Sequence, residues 1–266
     1  HDETGTVEWP APAPALDRSE VAAVVAAYPN FFGRLEDVKA AADAAHEAGA
    51  LCVCVTDPTA MGVLRSPGSM GVDVAVGEGH ALGNPMFYGG PYVGLFATKL
   101  ELVRQVPGRI AGATVDADGR RAFVLTLQAR EQHIRRAKAT SNVCTNQTLM
   151  AIAAAVHLSW LGPRGLERLG ELCVGRTAYA ARRLAELPGC EVVFDGPRFK
   201  ELVLETPIDG TELAAALGRR GFLVGPPLGR WYPDLQQALL VAVTEQRTRE
   251  DIDALAEAIE KELAER

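Results

Sequence analysis

The sequence predicts an α/β domain built on a parallel sheet and followed by a smaller α+β domain, and three observations carry that expectation. Two apolar, β-branched runs, residues 21–27 and 51–55, flank one amphipathic segment, residues 35–48. Both runs are apolar at nearly every position, as strands covered on both faces by helices must be, and strand–helix–strand order is how parallel neighbours are joined. Beyond residue 145 the pattern changes to long helical periodicity, then to short strands alternating with helices, the mark of an α+β unit.

Residues 1–18 hold an acidic start and Trp9-Pro-Ala-Pro-Ala-Pro14, which cannot continue a helix and offers few apolar anchors; they read as a linker or extended segment. The run 21–27 stops at Tyr28-Pro-Asn, a turn signal. Leu35, Val38, Ala41, Ala42 and Ala45 recur at helical spacing, with Gly49 as a stop. Residues 72–76 and 93–97 are the third and fourth candidate strands, linked by glycine-rich connections. Residues 145–187 carry helical patterning through Leu149, Ile152, Val156, Leu166, Leu169 and Leu172, interrupted at Gly162-Pro-Arg-Gly165. Strands at 191–194, 201–204, 222–224 and 238–243, a helix at 211–219 and a terminal helix at 248–264 complete the reading. The change of pattern sets a boundary near 160–185, with residues 19–160 as the large domain and 161–266 as a connecting helix and small domain.

With 266 residues and 48% hydrophobic content, the chain can bury a substantial core. Its longest apolar runs fall far short of the roughly 20 residues that span a bilayer. A net charge of −7, a pI near 5.4 and arginines scattered among acids argue against a nucleic-acid partner. Five cysteines, without the spacing of a disulfide framework or of paired metal-binding CxxC units, fit a reducing cytoplasm. Cys52 and Cys54 would face the same side of a strand and read as core residues rather than a metal pair. A start at His1, without a signal-peptide layout, suggests a truncated or processed chain.

Several residues are candidates for chemistry. Asp57 follows the end of a parallel strand, where ligands bind in open α/β sheets. Its carboxylate suits a protonated ring nitrogen, but Asp57-Pro58-Thr59 reads first as a turn or helix cap. Gly77-Glu-Gly-His80 and Gly89-Gly-Pro-Tyr-Val-Gly94 allow close backbone approach but complete no nucleotide fingerprint, so structural turns are favoured. His80 offers an imidazole that can act as acid, base or stacking partner. Arg130, Arg135 and Arg136 have the forked donors that bind carboxylate or phosphate; a solvated face or a subunit contact accounts for them equally. Cys144, among small polar residues, is a thiol whose reactivity depends on a lowered pKa. No Gly-x-Ser-x-Gly elbow or His-Glu-x-x-His helix is present, which counts against hydrolases.

The wording of several segments goes further than their spacing. Tyr28-Pro-Asn-Phe-Phe-Gly33, Val76-Gly-Glu-Gly-His80, Gly89-Gly-Pro-Tyr92, Pro107-Gly-Arg109, Gln128-Ala-Arg-Glu-Gln-His-Ile-Arg-Arg136 and Lys138-Ala-Thr-Ser-Asn-Val-Cys-Thr-Asn-Gln147 resemble the first-subunit family of glycine decarboxylase, the P-protein of the glycine cleavage system. The resemblance runs in register from about residue 20 to the end; Ala129 and Ala137 depart from more polar family positions. It implies a fold-type I pyridoxal-phosphate (PLP) transferase architecture of the aspartate aminotransferase class, with the large domain only partly present. It also implies a heterotetrameric assembly with a lysine-bearing second subunit that holds the cofactor covalently, glycine as substrate, and the lipoyl arm of H-protein as aminomethyl acceptor. Aligned on Pro85 and Gly90-Pro91, His80 falls where the paralogue's cofactor lysine stands, and Asp57 falls on the aspartate that meets the pyridine nitrogen. The five lysines, at 39, 99, 138, 200 and 261, leave that anchor position empty. The implied role is a partner subunit inactive alone; an independently active aminotransferase or lyase, or a non-catalytic scaffold, remain the alternatives.

Overall fold

A computed structural model describes residues 3–9, 20–139, 143 and 145–265. The first sheet has the order β1-β2-β3-β4, with β1 at Ala23–Tyr28, β2 at Leu51–Thr56, β3 at Val74–Glu78 and β4 at Gly94–Thr98. β1 and β2 pair in parallel from Ala23↔Leu51 to Tyr28↔Thr56, and β2 pairs in parallel with β3. Helix α1, Val38–Glu47, supplies the crossover; the Asp37 carboxylate caps it by accepting from the Ala40 amide at 2.9 Å. Its buried face is Val38, Ala41, Ala42 and Ala45. These small side chains let the helix sit close over Val24, Tyr28, Cys52, Cys54, Met70 and Val72.

Two features of this sheet differ from expectation. β4 runs antiparallel to β3, because residues 79–93 contain no crossover helix and return the chain from the same end of the sheet. The helices also cover only one face. On the other, the register brings Val25, Val53, Val55, Val76 and Phe96 into one apolar surface, with Val25 61%, Val55 43% and Phe96 54% exposed.

Next comes an antiparallel hairpin, β5 (Ile110–Val115) and β6 (Arg121–Thr126), absent from the sequence reading. Its signal was Asp118-Gly119 between two β-prone runs; the Asp116 carboxylate closes the turn by accepting from the Asp118 and Arg120 amides, each at 2.9 Å. A single turn, α2 (Gln132–Arg135), precedes the long helix α3, Thr148–Ala185. The expected interruption of α3 is one residue, Gly162, at φ 63° and ψ 179°.

In the C-terminal part, β7 (Glu191–Val193), β8 (Glu201–Glu205) and β9 (Ala238–Ala242) form an antiparallel sheet. Together with α3, α4 (Gly210–Arg219) and α5 (Arg249–Ala264) it encloses the largest core, built on Leu184, Leu202, Leu204, Leu213, Leu239 and Ile259. Thr248 and Asp251 start α5 with a capping box. The strand expected at 222–224 is not formed. Leu223 is fully solvated at 98% exposure, and the following Pro226 and Pro227 lack the amides a ladder needs, so only an isolated bridge, Pro227↔Leu239, remains.

Candidate functional site

β2 and β3 run in parallel, so their carboxyl ends lie on one edge of the sheet and carry Asp57 and His80 just beyond them. Asp57 opens a 3-10 turn over Pro58–Gly62. Its Oδ1 accepts from the Thr59 amide at 2.8 Å and the Thr59 hydroxyl at 2.7 Å; its Oδ2 accepts from Lys200 Nζ at 2.7 Å. The capping role and an ionic role therefore coexist in one carboxylate. Lys200 stands immediately before β8, 143 positions away, and sequence reasoning missed it because no local pattern links two residues so far apart.

The glycines before His80 are there for close approach. A Cβ on Gly77 would lie 2.5 Å from the Thr56 carbonyl oxygen, and one on Gly79 would lie 2.9 Å from that of Val93. The His80 amide donates to Glu78 Oε1 at 3.1 Å, and its ring stands edge-on to Tyr92 with centroids 5.1 Å apart. Nε2 of His80 is buried without a hydrogen-bond partner among the described residues.

The arginines do not join these two residues in any recorded contact. Arg130 donates from Nε to the Leu127 carbonyl at 3.2 Å and from Nη2 to the Gly108 carbonyl at 2.8 Å, which ties the turn before α2 to the segment that leads into β5. Arg130 and Arg135 line a cavity of about 520 Å³ with Arg104, Gln105, Pro107 and Glu131. Arg136 sits at φ 53° on an exposed turn. Cys144 lies outside the described residues.

At the opposite edge of the sheet stands a second ionic cluster unforeseen from sequence. Asp73 is 6% exposed in its side chain and accepts from Lys99 Nζ at 2.5 Å, meets His46 Nε2 at 2.9 Å and accepts from the Cys52 amide at 2.7 Å. Burial alone would raise its pKa, but the bonds from Lys99, Cys52 and His46 and the Lys99 charge outweigh that and hold it down at about 2. Lys99 is thus committed to Asp73. Burial pushes the thiols of Cys54 up to about 12 and of Cys173 up to about 11, which makes them core residues rather than nucleophiles.

As a test of fit for pyridoxal phosphate, the site offers a carboxylate at a strand end, but that carboxylate already faces a lysine ammonium, and no lysine lies in the glycine-rich segment 77–94 where His80 stands. The chain's own residues therefore do not match a covalently anchored cofactor.

The chain superimposes on a NifS-like protein from Rickettsia africae with a TM-score of 0.65 over 95% of this chain and 64% of that one, at 13% identity, a likeness of fold. The class is fold-type I, the architecture of PLP-dependent transferases. The crystal structure of a glycine decarboxylase (P-protein) of the glycine cleavage system, in inhibitor-bound form, matches with a TM-score of 0.87 and 46% identity, covering 94% of this chain and 57% of that one. The probable glycine dehydrogenase (decarboxylating) subunit 1 of Moorella thermoacetica is 52% identical over 249 residues, which are 94% of this chain and 56% of that protein. The family model for the glycine cleavage system P-protein matches residues 4–259. The chain belongs to the glycine cleavage system P-protein family, and it spans little more than half the length of these relatives.

Proposed function

We propose that this chain forms part of the first subunit of a glycine decarboxylase and supports, rather than performs, the removal of carbon dioxide from glycine. Its partner is a lysine-bearing second subunit holding pyridoxal phosphate covalently, and the assembly passes the aminomethyl group to the lipoyl arm of H-protein. When bound there, the cofactor supplies an electron sink for the bond that breaks. The residues of this chain contribute a rigid scaffold: Asp57 and Lys200 fix the edge of the sheet, and His80 with Tyr92 presents an aromatic surface beside it.

The observation that carries the support role is the pairing of Asp57 with Lys200 together with the absence of a lysine in segment 77–94. Unpartnered apolar surface supports the assembly. Besides the bare sheet face, Leu149, Ile152, Val156 and Trp160 form a stripe along α3, with Leu149 71% and Trp160 81% exposed. Their spacing of three, four and four residues puts them on one helix face, and contiguous apolar surface of this kind marks an interface.

The test mixes the chain with the lysine-bearing subunit, H-protein, pyridoxal phosphate and labelled bicarbonate, and follows exchange of label into the glycine carboxyl group. Exchange only in the full mixture, or its restoration when a full-length first subunit replaces this chain, supports the proposal. Exchange by this chain without the second subunit overturns it and favours the independently active enzyme.

A further inference from the structure

Lys200 stands in an unusual backbone position that its ion pair explains. Its φ is +63°, and the Glu201 amide donates to the Phe199 carbonyl at 2.8 Å. Lys200 is thus the centre of a three-residue turn of the rare, strained kind. A side chain with a Cβ is strained in that region and persists there only where the surroundings over-determine it. Here they do. The Phe199 amide donates to the Gly33 carbonyl at 2.9 Å, and the Val243 amide donates to the Lys200 carbonyl at 2.7 Å. Gly33, itself at φ +74°, lies so close to β8 that a Cβ on it would be 2.2 Å from the Glu201 carbonyl oxygen.

The turn aims a lysine that is only 9% exposed out of the small domain, past the Phe199 ring at 5.5 Å, onto a carboxylate of the large domain that is 26% exposed. Cys173 and the carboxylates of Glu201 and Glu245 also feel its charge, but Asp57 is its hydrogen-bonded partner. No other ion pair between residues 20–139 and residues 190–265 is recorded among the described residues.

We infer that Lys200 is a positioning residue: its ammonium stands at Asp57 as a built-in counter-ion, in place of a cofactor cation, and clasps the small domain to the ligand edge of the large sheet. The inference deepens the support role proposed above and rests on it. It accounts for an aspartate retained at a cofactor-type position in a chain without a cofactor lysine in segment 77–94. It also accounts for a lysine held in a conformation that glycine would adopt more readily.

The experiment is a double-mutant cycle on the 266-residue chain with Lys200→Met, Asp57→Asn and both together. The Asp57→Asn change retains an amide oxygen that can still cap Thr59, so the cycle isolates the ionic contact. Breaking a buried pair is costly because it strands a charge, and Lys200 is the more buried partner. D57N is therefore expected to lower the folding equilibrium constant about 100-fold and K200M about 10-fold, with the double variant no worse than D57N. Amide exchange at residues 57–63 and 199–205 should rise together in both single variants. Should both single variants fail to fold, folding of the double variant supports the clasp, and its failure overturns it. Additive single effects also overturn the clasp.

Titration with pyridoxamine 5′-phosphate, which needs no lysine, separates this inference from the proposed function. No saturable binding by wild type or K200M is expected. Saturable binding by wild type that D57N abolishes overturns both the counter-ion role and the support role. Additive mutational effects without such binding remove only the clasp.

Discussion

Replacing Asp73 by Asn tests the ionic cluster that holds the first sheet together. Asp73 joins α1 through His46, β2 through the Cys52 amide and the end of β4 through Lys99; its own carbonyl accepts from the Lys99 amide at 3.1 Å and the Thr98 hydroxyl at 3.0 Å. Its carboxyl pKa falls from an ordinary 3.8 to about 2 in the folded protein. That difference corresponds to about 2 kcal/mol of stability carried by the ionised form. A depressed folded pKa gives stability that is complete well above the unfolded value, near pH 4, and disappears as pH falls through the folded value, near 2. Asp73→Asn should therefore cost about 2 kcal/mol at pH 7, and the gap to wild type should close between pH 4 and 2. Urea unfolding followed by circular dichroism, with amide exchange at Cys52 as a local probe, measures both. A loss under about 0.5 kcal/mol at pH 7, or a gap that persists at the lowest pH, would refute the assignment of that stability to the ionised carboxylate.

Three further outcomes follow from the same structure. Burial raises the Glu201 carboxyl to about 7, against an opposing pull from Lys200; a raised folded pKa means stability is lost as pH climbs from about 4.5 to 7. Glu201→Gln should match wild type at pH 4 and exceed it by about 2–3 kcal/mol at pH 8 in the same unfolding assay. Cys52, Cys54 and Cys173, fully buried and with raised pKa values, should resist alkylation at pH 8 in the native state and react once urea unfolds the chain, as read by mass spectrometry. Val25→Lys and Val55→Lys, on the bare sheet face, should leave the chain's own stability within about 0.5 kcal/mol and reduce binding of a hydrophobic dye, yet abolish glycine–bicarbonate exchange in the full mixture with the second subunit.

The strand–helix–strand start was legible because its signals are local. Apolar runs at 21–27 and 51–55 and the spacing of Val38, Ala41, Ala42 and Ala45 each report on one element, and the structure places β1, α1 and β2 within two or three residues of the expected limits. Family membership was legible for a different reason: short strings such as Gln128-Ala-Arg-Glu-Gln-His-Ile-Arg-Arg136 are specific in wording even where their chemistry is ambiguous. The hairpin at Ile110–Val115 and Arg121–Thr126 was missed although its Asp-Gly turn was visible, and the strand at 222–224 was overread because β-propensity says nothing about an available partner.

By itself, then, the amino-acid order determined the fold class, the strand–helix–strand start and the family, since hydrophobic period, turn residues and motif wording are properties of neighbours along the chain. Tertiary structure alone decided which groups the candidate residues meet. No local pattern showed that Lys200, 143 positions away, would stand on the second oxygen of Asp57, or that Lys99 would pair with Asp73. The direction of β4 and the uncovered sheet face were likewise settled in three dimensions. The physical reason is common to all of these: charge neutralisation and burial depend on which groups meet in space, and the covalent chain specifies that only through the whole fold.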